Sequence, residues 1–403
     1  MRFHSYSFIA ALALISSSCS DSSGPSDTSN VDTPNGNSLP ALSGNNVLPI
    51  TVNGSLCSTS SYLNKPCVSV QVCIPGTTTC VTVNDILLDT GSYGFRVFKS
   101  ALNGLALTPI TNGANTLTEC AQFGSGSDWG PIEQASLILG GEPAVQLPIQ
   151  VIDSSFATVN NYCNGADDSA TAAGFNGILG VGLLPNDCGD LCSAHINNRI
   201  YFGCNGATCT ATNVTVNQQV QNPVALLPED NNGVIVQLPS ISLGGVSSID
   251  GYLVLGIGTQ SNNVPSGVTA YPADSSGEFK TVFNGNTVSS FIDTGSNGFS
   301  FESPSASTLP ECTGVLAGWY CPTSVVKLNP TNTGQAGSPK GTVQIQIGNF
   351  SNLASSGNKV FIEIGESGQG FFDFGLPFFI GRNVYVGIAG TTSPLGTGPY
   401  WAY

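Results

Sequence analysis

The chain has 403 residues, with 10 Lys or Arg and 25 Asp or Glu, which gives a formal net charge of −15 at pH 7. This acidic balance argues against nucleic acid as a partner, because phosphate binding needs many cationic side chains. Hydrophobic residues make up 40% of the chain and charged residues only 9%, so we expect a packed core and exclude global disorder. The 49 glycines, together with abundant Ser, Thr, Asn and Val, predict many strands and tight turns.

The first 19 residues have the pattern of an export signal. Arg2 and His4 supply a short basic region, residues 8–15 form an apolar run, and three serines at 16–18 lead to Cys19. This ending resembles a bacterial lipoprotein cleavage box, which predicts that Cys19 becomes the lipidated first residue and anchors the protein to a membrane. An ordinary secretory signal with an incidental cysteine is the alternative. Both predict an exported protein, placed in the bacterial cell envelope at the outer membrane or secreted.

Residues 20–45 are polar and rich in Ser, Gly and Pro, which is typical of a flexible tether. A removable pro-segment is the alternative for this stretch. The tether is favoured, because residues 20–45 contain no basic side chain that could pair with an acidic cleft. No apolar stretch after the signal approaches the ~20 residues that a transmembrane helix needs.

The cysteines predict disulfides. There are 13 of them, and removing Cys19 leaves 12, which can all pair in an oxidising compartment. A metal site is not expected, because two CxxC pairs are missing and His195 is the only histidine after the signal. Sequence does not fix the connectivity, but nearness along the chain favours Cys73–Cys80, Cys188–Cys192, Cys204–Cys209 and Cys312–Cys321. The four cysteines that remain can pair as Cys57–Cys67 and Cys120–Cys163.

One motif occurs twice. Residues 86–98 and 290–301 both read apolar-apolar-Asp-Thr-Gly-Ser-x-Gly-Phe. The two aspartates, Asp89 and Asp293, are 293 − 89 = 204 residues apart, about the length of one medium domain. A single such tetrapeptide could be an ordinary turn at the end of a strand. Two copies in the same apolar frame indicate an internal duplication.

The surroundings of the two copies also correspond. Each copy follows a predicted hairpin, with its turn at residues 75–76 in the first half and at the Asn-Gly pair 284–285 in the second. Each is followed by an apolar segment centred on a glycine. Gly180 lies 91 residues after the first aspartate (180 − 89), and Gly375 lies 82 residues after the second (375 − 293). Gly381 is an alternative counterpart to Gly180.

These motifs together resemble the pepsin-like aspartic peptidase family over roughly residues 45–390. The most specific matches are the paired Asp-Thr-Gly-Ser loops and the Asn-Gly-Ile-Leu-Gly segment at 176–180. The Gly/Ser-rich stretch 122–130 is similar to the hairpin tip, or flap, that covers the substrate in that family. Residues 251–256 are similar to its strand between the lobes. With its lipoprotein-like start, the chain looks like a bacterial exported group of such proteins.

The resemblance implies an all-β fold with few short helices, in which two β lobes are related by a pseudo-twofold axis. The N-terminal lobe, residues 46–258, would carry the first motif and the flap, and the C-terminal lobe, 259–403, would carry the second. Asp89 and Asp293 would be the catalytic pair. The resemblance also implies a supporting loop of Thr90, Gly91, Ser92, Thr294, Gly295 and Ser296, and a substrate-binding flap of Phe123, Gly124, Ser125, Gly126 and Trp129.

Two facing carboxylates can hydrolyse a peptide bond without a cofactor. At close range they cannot both be ionised, so they share one proton and titrate as a pair. The ionised member takes a proton from water, while the protonated member hydrogen-bonds the substrate carbonyl. This chemistry predicts an exported, monomeric endopeptidase that acts on polypeptides and works best at acidic pH. The sequence does not say which aspartate is the acid.

Two departures from the family pattern favour a different function. Phe123 stands where a flap Tyr is usual, and Arg96 stands where a Trp is common. The alternative is therefore a catalytically inactive surface protein of the same fold that binds a peptide or a protein partner. The presence of both aspartates favours the enzyme. A Ser-His-Asp or Cys-His site would have to use His195, which is more typical of an ordinary loop position.

Overall fold

The structure is a computed structural model that describes residues 31–32, 39, 41–58, 61–124 and 126–403. Strands account for 42% of these residues and helices for 9%, which confirms the prediction of an all-β fold with few short helices. Cys19, Ser125 and most of the predicted tether lie outside the described residues. Within the described ranges, no helix is both long and apolar enough to cross a membrane.

The strands before residue 259 are β1 Val31–Asp32, β2 Val47–Val52, β3 Pro66–Cys73, β4 Cys80–Asp89, β5 Tyr93–Phe98, β6 Thr108–Pro109, β7 Thr111–Asn112, β8 Asn115–Gln122, β9 Ser127–Ile138, β10 Val145–Ile152, β11 Gly177–Val181, β12 Tyr201–Asn205, β13 Thr208–Ala211, β14 Gly233–Gln237 and β15 Ile249–Leu255. The strands after it are β16 Ala270–Pro272, β17 Phe279–Phe283, β18 Asn286–Ile292, β19 Phe299–Phe301, β20 Val326–Leu328, β21 Thr331–Thr333, β22 Lys340–Val343, β23 Ile345–Ile347, β24 Gly365–Ser367, β25 Phe371–Phe374, β26 Asn383–Gly387, β27 Thr392–Ser393, β28 Gly396–Thr397 and β29 Tyr400–Ala402.

The helices are single turns between strands. The α-helices are α1 Ala170–Ala173, α2 Asp190–Ala194 and α3 Phe350–Ala354. The 3₁₀ turns are Lys99–Leu102, Asn161–Cys163, Val216–Gln218, Pro223–Leu226, Gly314–Leu316 and Leu376–Phe378.

Two large sheets contain the repeated motifs. A closed barrel of β2 to β16 with β26 and β29 contains the first motif, at the end of β4. An eight-stranded sheet in the order β1-β22-β21-β17-β18-β25-β19-β24 contains the second, at the end of β18. The barrel thus takes three strands from beyond residue 259, and the division of the chain into lobes at that residue stays a prediction.

Both predicted hairpins form and lead into the motifs. Strands β3 and β4 pair antiparallel around the turn at residues 75–76, and β17 and β18 pair around the Asn-Gly turn. Asn284 has a φ of 50° and Gly285 a φ of 78°. Left-handed backbone at both central residues fits the right-handed strand twist, which is why Asn-Gly is favoured there.

The two glycine-centred segments have equivalent places. In the barrel, β11 runs parallel to β4 with Gly180 opposite Asp89. In the other sheet, β25 runs parallel to β18, and Phe374 O accepts a hydrogen bond from Asp293 N at 3.0 Å. Gly375, the next residue, is therefore the counterpart of Gly180, and the alternative partner Gly381 is wrong.

One hydrophobic core supports both motifs. Leu88 and Ile292, the last apolar residues before the two aspartates, are both fully buried in the same cluster. Phe291, which the alternation of the strand turns to the opposite face, is only half-buried and stacks on Phe371 at 5.9 Å. The buried end of each strand fixes the position of its aspartate.

All six predicted disulfides form: Cys57–Cys67, Cys73–Cys80, Cys120–Cys163, Cys188–Cys192, Cys204–Cys209 and Cys312–Cys321. So many disulfides indicate an exported protein that folds in an oxidising environment.

The folded body begins before residue 46. Gly141 N donates to Asn45 O at 2.7 Å, which holds the end of the predicted tether against the barrel. Val31–Asp32, also in the predicted tether, pair in parallel with Thr342 and Val343 at the edge of the eight-stranded sheet. An edge strand offers unpaired backbone groups, so a polar segment can add to it without an apolar pattern of its own.

Candidate active site

The two threonines of the repeated motifs exchange hydrogen bonds. Thr90 Oγ1 donates to Ile292 O at 2.8 Å and accepts from Thr294 N at 3.0 Å. Thr294 Oγ1 donates to Leu88 O at 2.6 Å and accepts from Thr90 N at 3.1 Å. Both side chains are buried, at 1% and 0% exposure. These reciprocal hydrogen bonds between the two supporting loops hold the loops back to back.

The exchange brings the two carboxyl groups together. Gly91 N lies 2.8 Å from Asp89 Oδ1 and 3.2 Å from Asp293 Oδ1, so a single N–H reaches both. On the other loop, Gly295 N donates to Asp293 Oδ1 at 2.7 Å. The aspartates that are 204 residues apart in sequence therefore meet as a dyad.

Glycine is required where the loops approach each other. A Cβ on Gly91 would lie 2.6 Å from Cγ of Asp293, and a Cβ on Gly295 would lie 3.0 Å from Oδ1 of Asp89. A contact of 2.6 Å overlaps van der Waals radii, so any larger residue at Gly91 would displace the opposite carboxyl group.

The serines of the motifs bond to the outer oxygens of the dyad. Ser92 Oγ donates to Asp89 Oδ2 at 2.5 Å, and Ser296 Oγ donates to Asp293 Oδ2 at 2.9 Å. Each aspartate thus has its inner oxygen on a glycine N–H and its outer oxygen on a serine hydroxyl. Both carboxyl groups are therefore fixed in orientation.

The dyad is arranged to keep a proton. Burial, the charge of Asp89 and a hydrogen bond between the two carboxyl groups raise the pKa of Asp293 well above its ordinary value of 3.8. The Gly295 N–H and the Ser296 hydroxyl oppose this shift by stabilising the ionised form. One proton shared between two close carboxyl groups is what activation of a water requires.

The flap candidates lie on a hairpin formed by β8 and β9. Its tip is closed by a hydrogen bond from Phe123 N to Gly126 O at 2.8 Å. Gly124 and Gly126 are exposed, and a Cβ on either would have no atom within 4 Å. Phe123 is half-buried and packs, like Tyr62, against the buried cluster that contains Leu87.

Trp129 does not belong to this tip, which corrects the sequence prediction. It is fully buried in a separate cluster, 5.5 Å from the Phe202 ring, and its Nε1 donates to Phe156 O at 2.8 Å. Because Trp129 is fully buried in this second cluster, its side chain is not exposed at the hairpin tip.

The two residues that depart from the family pattern contact each other. The Arg96 guanidinium lies 5.7 Å from the centre of the Phe123 ring. Arg96 is itself 4% exposed and donates to Glu119 at 2.6 Å, Asp187 at 3.2 Å and Tyr93 O at 2.7 Å. This cation–π contact supports the hairpin tip.

Sequence reasoning missed Tyr62, which the structure places beside the dyad. Its hydroxyl donates to Gly295 O at 3.0 Å. Burial and the charges of Asp293 and Asp89 raise the pKa of Tyr62. Nearby, Asn64 bonds to Asn297 O at 2.7 Å, so the segment around Cys57–Cys67 ties the barrel to the second loop. No periodic pattern or motif marks these contacts in the sequence.

A second missed residue is Asp373, which lies two residues before Gly375. It is 4% exposed, and its Oδ1 has no hydrogen-bond partner. Burial is the main cause that raises the pKa of Asp373 well above 3.8, followed by the charge of Asp293. A buried acid in an otherwise apolar Phe-Phe-Asp-Phe-Gly strand is the signal that could have revealed it.

Among the described residues, one cluster has metal-ligand geometry: Cys57, Cys67 and Asp85. Its two sulfurs are joined in a disulfide, and Asp85 accepts from the buried Lys65 Nζ at 2.7 Å. These groups are therefore already bonded, the two cysteines to each other and Asp85 to Lys65.

The threonine exchange predicts a specific stability pattern. In Thr90→Val the Thr294 N–H and the Ile292 carbonyl lose their partners while staying buried, so the unfolding free energy should fall by about 2–4 kcal/mol. Thr90→Ser keeps the hydroxyl and should lose much less. Denaturant unfolding of the two variants measures the difference. Equal losses in Val and Ser would contradict the assigned role of the hydroxyl.

The flap hairpin predicts a pH dependence of stability. Asp128 is 1% exposed with neither carboxylate oxygen bonded, and burial, reinforced by Asp167, raises its pKa from 3.8 to about 7. The pKa of Asp128 is higher in the folded protein than in the unfolded chain. The contribution of its protonated form to the unfolding free energy is therefore complete below pH 3.8 and is lost as the pH rises through about 7. Over that pH range the unfolding free energy of the wild type should fall by roughly 4 kcal/mol, and that of Asp128→Asn should not.

Unfolding free energies at pH 4 and pH 8 test this prediction. Asp250→Asn, on an exposed strand position, should keep the wild-type pH dependence. If Asp128→Asn loses as much unfolding free energy between pH 4 and pH 8 as the wild type does, Asp128 is already ionised in the folded protein, which contradicts the prediction.

The comparisons with known proteins give a family without an assigned activity. The family model described as "Protein of unknown function (DUF3443)" matches residues 43–403, which is nearly all of the folded body, and the chain belongs to this family. No curated protein matches the chain.

Proposed function

We propose that this DUF3443 member is an exported aspartic endopeptidase whose catalytic groups are Asp89 and Asp293. The observation that carries the proposal is the meeting of the two repeated loops, in which one N–H, that of Gly91, reaches both carboxyl groups. Buried acids rarely approach so closely unless they share a proton, because two like charges at that distance are strongly unfavourable.

The proposed reaction needs only the dyad and water. The ionised carboxylate takes a proton from a water held between the two groups, and the water oxygen attacks the scissile carbonyl carbon. The protonated carboxyl donates to the carbonyl oxygen, which becomes a hydroxyl of the tetrahedral intermediate. The proton gained from water then goes to the leaving nitrogen as the carbon–nitrogen bond breaks. A hydroxyl of the intermediate returns its proton to the other carboxyl group as the carbonyl forms again, which restores the singly protonated dyad. No covalent enzyme intermediate forms.

Fixed hydrogen bonds support this chemistry. Each outer carboxylate oxygen accepts from a serine, Ser92 or Ser296, so neither carboxyl can rotate away from the shared water. The buried threonine exchange below them resists separation of the loops. Preorganised groups of this kind lower the cost of reaching the transition state.

A pepsin-like fold of two lobes is part of the proposal. It is supported by the matching registers on the two sides, where β4 runs beside β11 and β18 beside β25, each pair parallel. The hairpin of β8 and β9 would then be the flap, with Phe123 closing over the substrate. Its exposed glycines would allow it to open.

Export is supported by the six disulfides, and a polypeptide is the substrate class that this chemistry acts on. Lipidation of Cys19, with anchoring at the outer membrane, is proposed from the signal sequence alone. Together these would place a peptidase on the cell envelope with its body held by residues 20–45.

A peptide-binding protein without activity is the second candidate. It is favoured by the fixed position of Arg96, which three acceptors hold in place under Phe123. With Phe123 at the hairpin tip, which has no hydroxyl, and Arg96 held firmly beneath it, the hairpin could hold a peptide without aligning its carbonyl for attack by water.

Substitution of the dyad distinguishes the two candidates. Asp89→Asn and Asp293→Asn should each lower cleavage of an unfolded polypeptide by about 10²–10⁴-fold, since each removes one proton-transfer group. Asp250→Asn, at an exposed position, is the matched control and should cleave like the wild type. Equal cleavage by all variants would show that Asp89 and Asp293 are not the catalytic groups. Binding of the peptide by the wild type without cleavage would favour the second candidate.

The pH profile follows from the shared proton. Because burial and Asp89 raise the pKa of Asp293, the dyad keeps its proton above the ordinary range of a carboxyl group. Activity should therefore be highest at acidic pH and fall as rising pH removes that proton. Initial rates of peptide cleavage between pH 3 and pH 8 measure it. A rate that climbs steadily above neutral pH would contradict the prediction.

A further inference from the structure

A row of polar side chains crosses the eight-stranded sheet beside the second loop of the dyad. In the pairing register, Glu366 on β24 lies opposite Ser300 on β19, and Ser300 lies opposite Asp373 on β25. Residues that are opposite each other on neighbouring strands point to the same side of a sheet. The phenylalanines on either side of Ser300 and Asp373 are buried in the main core, so the row lies on the other face.

The row extends from solvent towards the dyad. Glu366 is partly exposed, whereas Ser300 is 6% exposed and Asp373 is 4% exposed. After burial, the charges of Asp293 and Glu366 both act to raise the pKa of Asp373. The charge of Glu366 also contributes to the raised pKa of Tyr62, whose hydroxyl bonds to the second catalytic loop. A molecule that enters beside the dyad therefore meets Glu366 at the open end of the row.

The two acids of the row have no cationic partner in the part of the chain that the structure describes. None of the ion pairs there contains Glu366 or Asp373. The Oδ1 atom of Asp373 is buried and accepts no hydrogen bond. Burial alone raises the pKa of Glu366 to about 7. Carboxyl groups in such surroundings are stabilised in their ionised form when a positive charge comes close.

The first half of the duplication shows what the row lacks. Ser300 and Arg96 occupy equivalent positions, each seven residues after the aspartate of its own loop (300 − 293 = 7 and 96 − 89 = 7). Arg96 lies opposite Ile178 and forms ion pairs with two acids. In the second half, Asp373 stands opposite a serine instead. The shared framework therefore does not require an acid at this position, and the row contains no guanidinium to neutralise it.

We propose that Glu366 is a specificity-determining residue that binds a basic side chain of the substrate, with Asp373 adding negative charge behind it. This inference rests on the proposed peptidase function and narrows its substrates to polypeptides with Lys or Arg close to the scissile bond. The ammonium or guanidinium group donates to the Glu366 carboxylate. The formal net charge of −15 also favours the approach of cationic chains.

Digestion of a random-sequence peptide mixture, with the cleavage sites identified by mass spectrometry, tests the preference. The wild type should cut with Lys or Arg enriched at one position close to the scissile bond. Glu366→Gln keeps the size of the side chain without its charge and should lose this enrichment, while Glu229→Gln, at an exposed position, should keep it. Circular dichroism and thermal unfolding establish that the variants are folded. Wild-type cleavage without a basic preference would overturn the proposal.

A pair of synthetic peptides separates a binding role from a structural one. The two peptides carry Lys or norleucine at the enriched position, so they differ in one charge, and the dyad acts on both alike. The ratio of their kcat/KM values should fall about tenfold in Glu366→Gln, the worth of one hydrogen bond to a charged group. Asp373→Asn should lower the ratio by a smaller factor. A Glu366→Gln variant that slows both peptides equally would overturn the proposal.

The same ratio should depend on pH. The ionisable groups on which Glu366 acts are Asp373, Tyr62 and Tyr320, none of them cationic. Glu366 holds a cation only when ionised, and kcat/KM reports the ionisation of the free enzyme. The preference for Lys over norleucine should therefore grow from pH 4 to about pH 7 in the wild type. It should stay low and constant in Glu366→Gln, and a rise of the same size in that variant would contradict the assignment.

Peptide binding decides the inference if the protein cleaves nothing. In that case the peptidase function fails, and the same peptide mixture is passed over immobilised wild type and Glu366→Gln. Enrichment of Lys- and Arg-containing peptides on the wild type that is lost in the variant would support the basic-side-chain site. Equal enrichment on both proteins would show that only the general negative charge attracts these peptides, and it would overturn the role of Glu366.

Discussion

The reciprocal hydrogen bonds of Thr90 and Thr294 are the constraint on which the site depends. Each hydroxyl satisfies one carbonyl and one N–H of the opposite loop, so the exchange leaves no buried backbone group of these four without a partner. Only with the loops in this contact do Asp89 and Asp293 face each other. The barrel and the eight-stranded sheet share one hydrophobic core, and neither alone would make the dyad.

Acids under and around the site are buried with few cations, and this sets its electrostatics. Arg96, beneath the hairpin tip, is bonded to two acids of its own, and the charged groups that act on Asp373 are acidic. Among the described residues, no cation forms an ion pair with Asp89, Asp293 or Asp373, so protonation neutralises these acids. A site built in this way suits chemistry that moves protons at acidic pH.

Much of the site could be predicted because its information is local or repeated. The Asp-Thr-Gly-Ser loops, the Asn-Gly turn and the short-range cysteine pairs are short patterns with direct physical meaning. The roles of Tyr62, Asp373 and Trp129 were not predicted correctly, because each depends on a neighbour distant in sequence. Whether Trp129 faces the tip or the core depends on which face of a twisted hairpin packs on Phe202, and the alternation of residues does not encode that choice.

The most direct test of the central claim is a crystal structure with a peptide whose scissile carbonyl is replaced by a secondary alcohol. Such an alcohol stands in for the tetrahedral carbon with one of its oxygens. The account predicts that its hydroxyl oxygen lies within hydrogen-bond distance of the carboxyl groups of both Asp89 and Asp293, with Phe123 folded over the chain. A peptide bound away from these groups, or the two carboxyl groups turned into separate pockets, would contradict it.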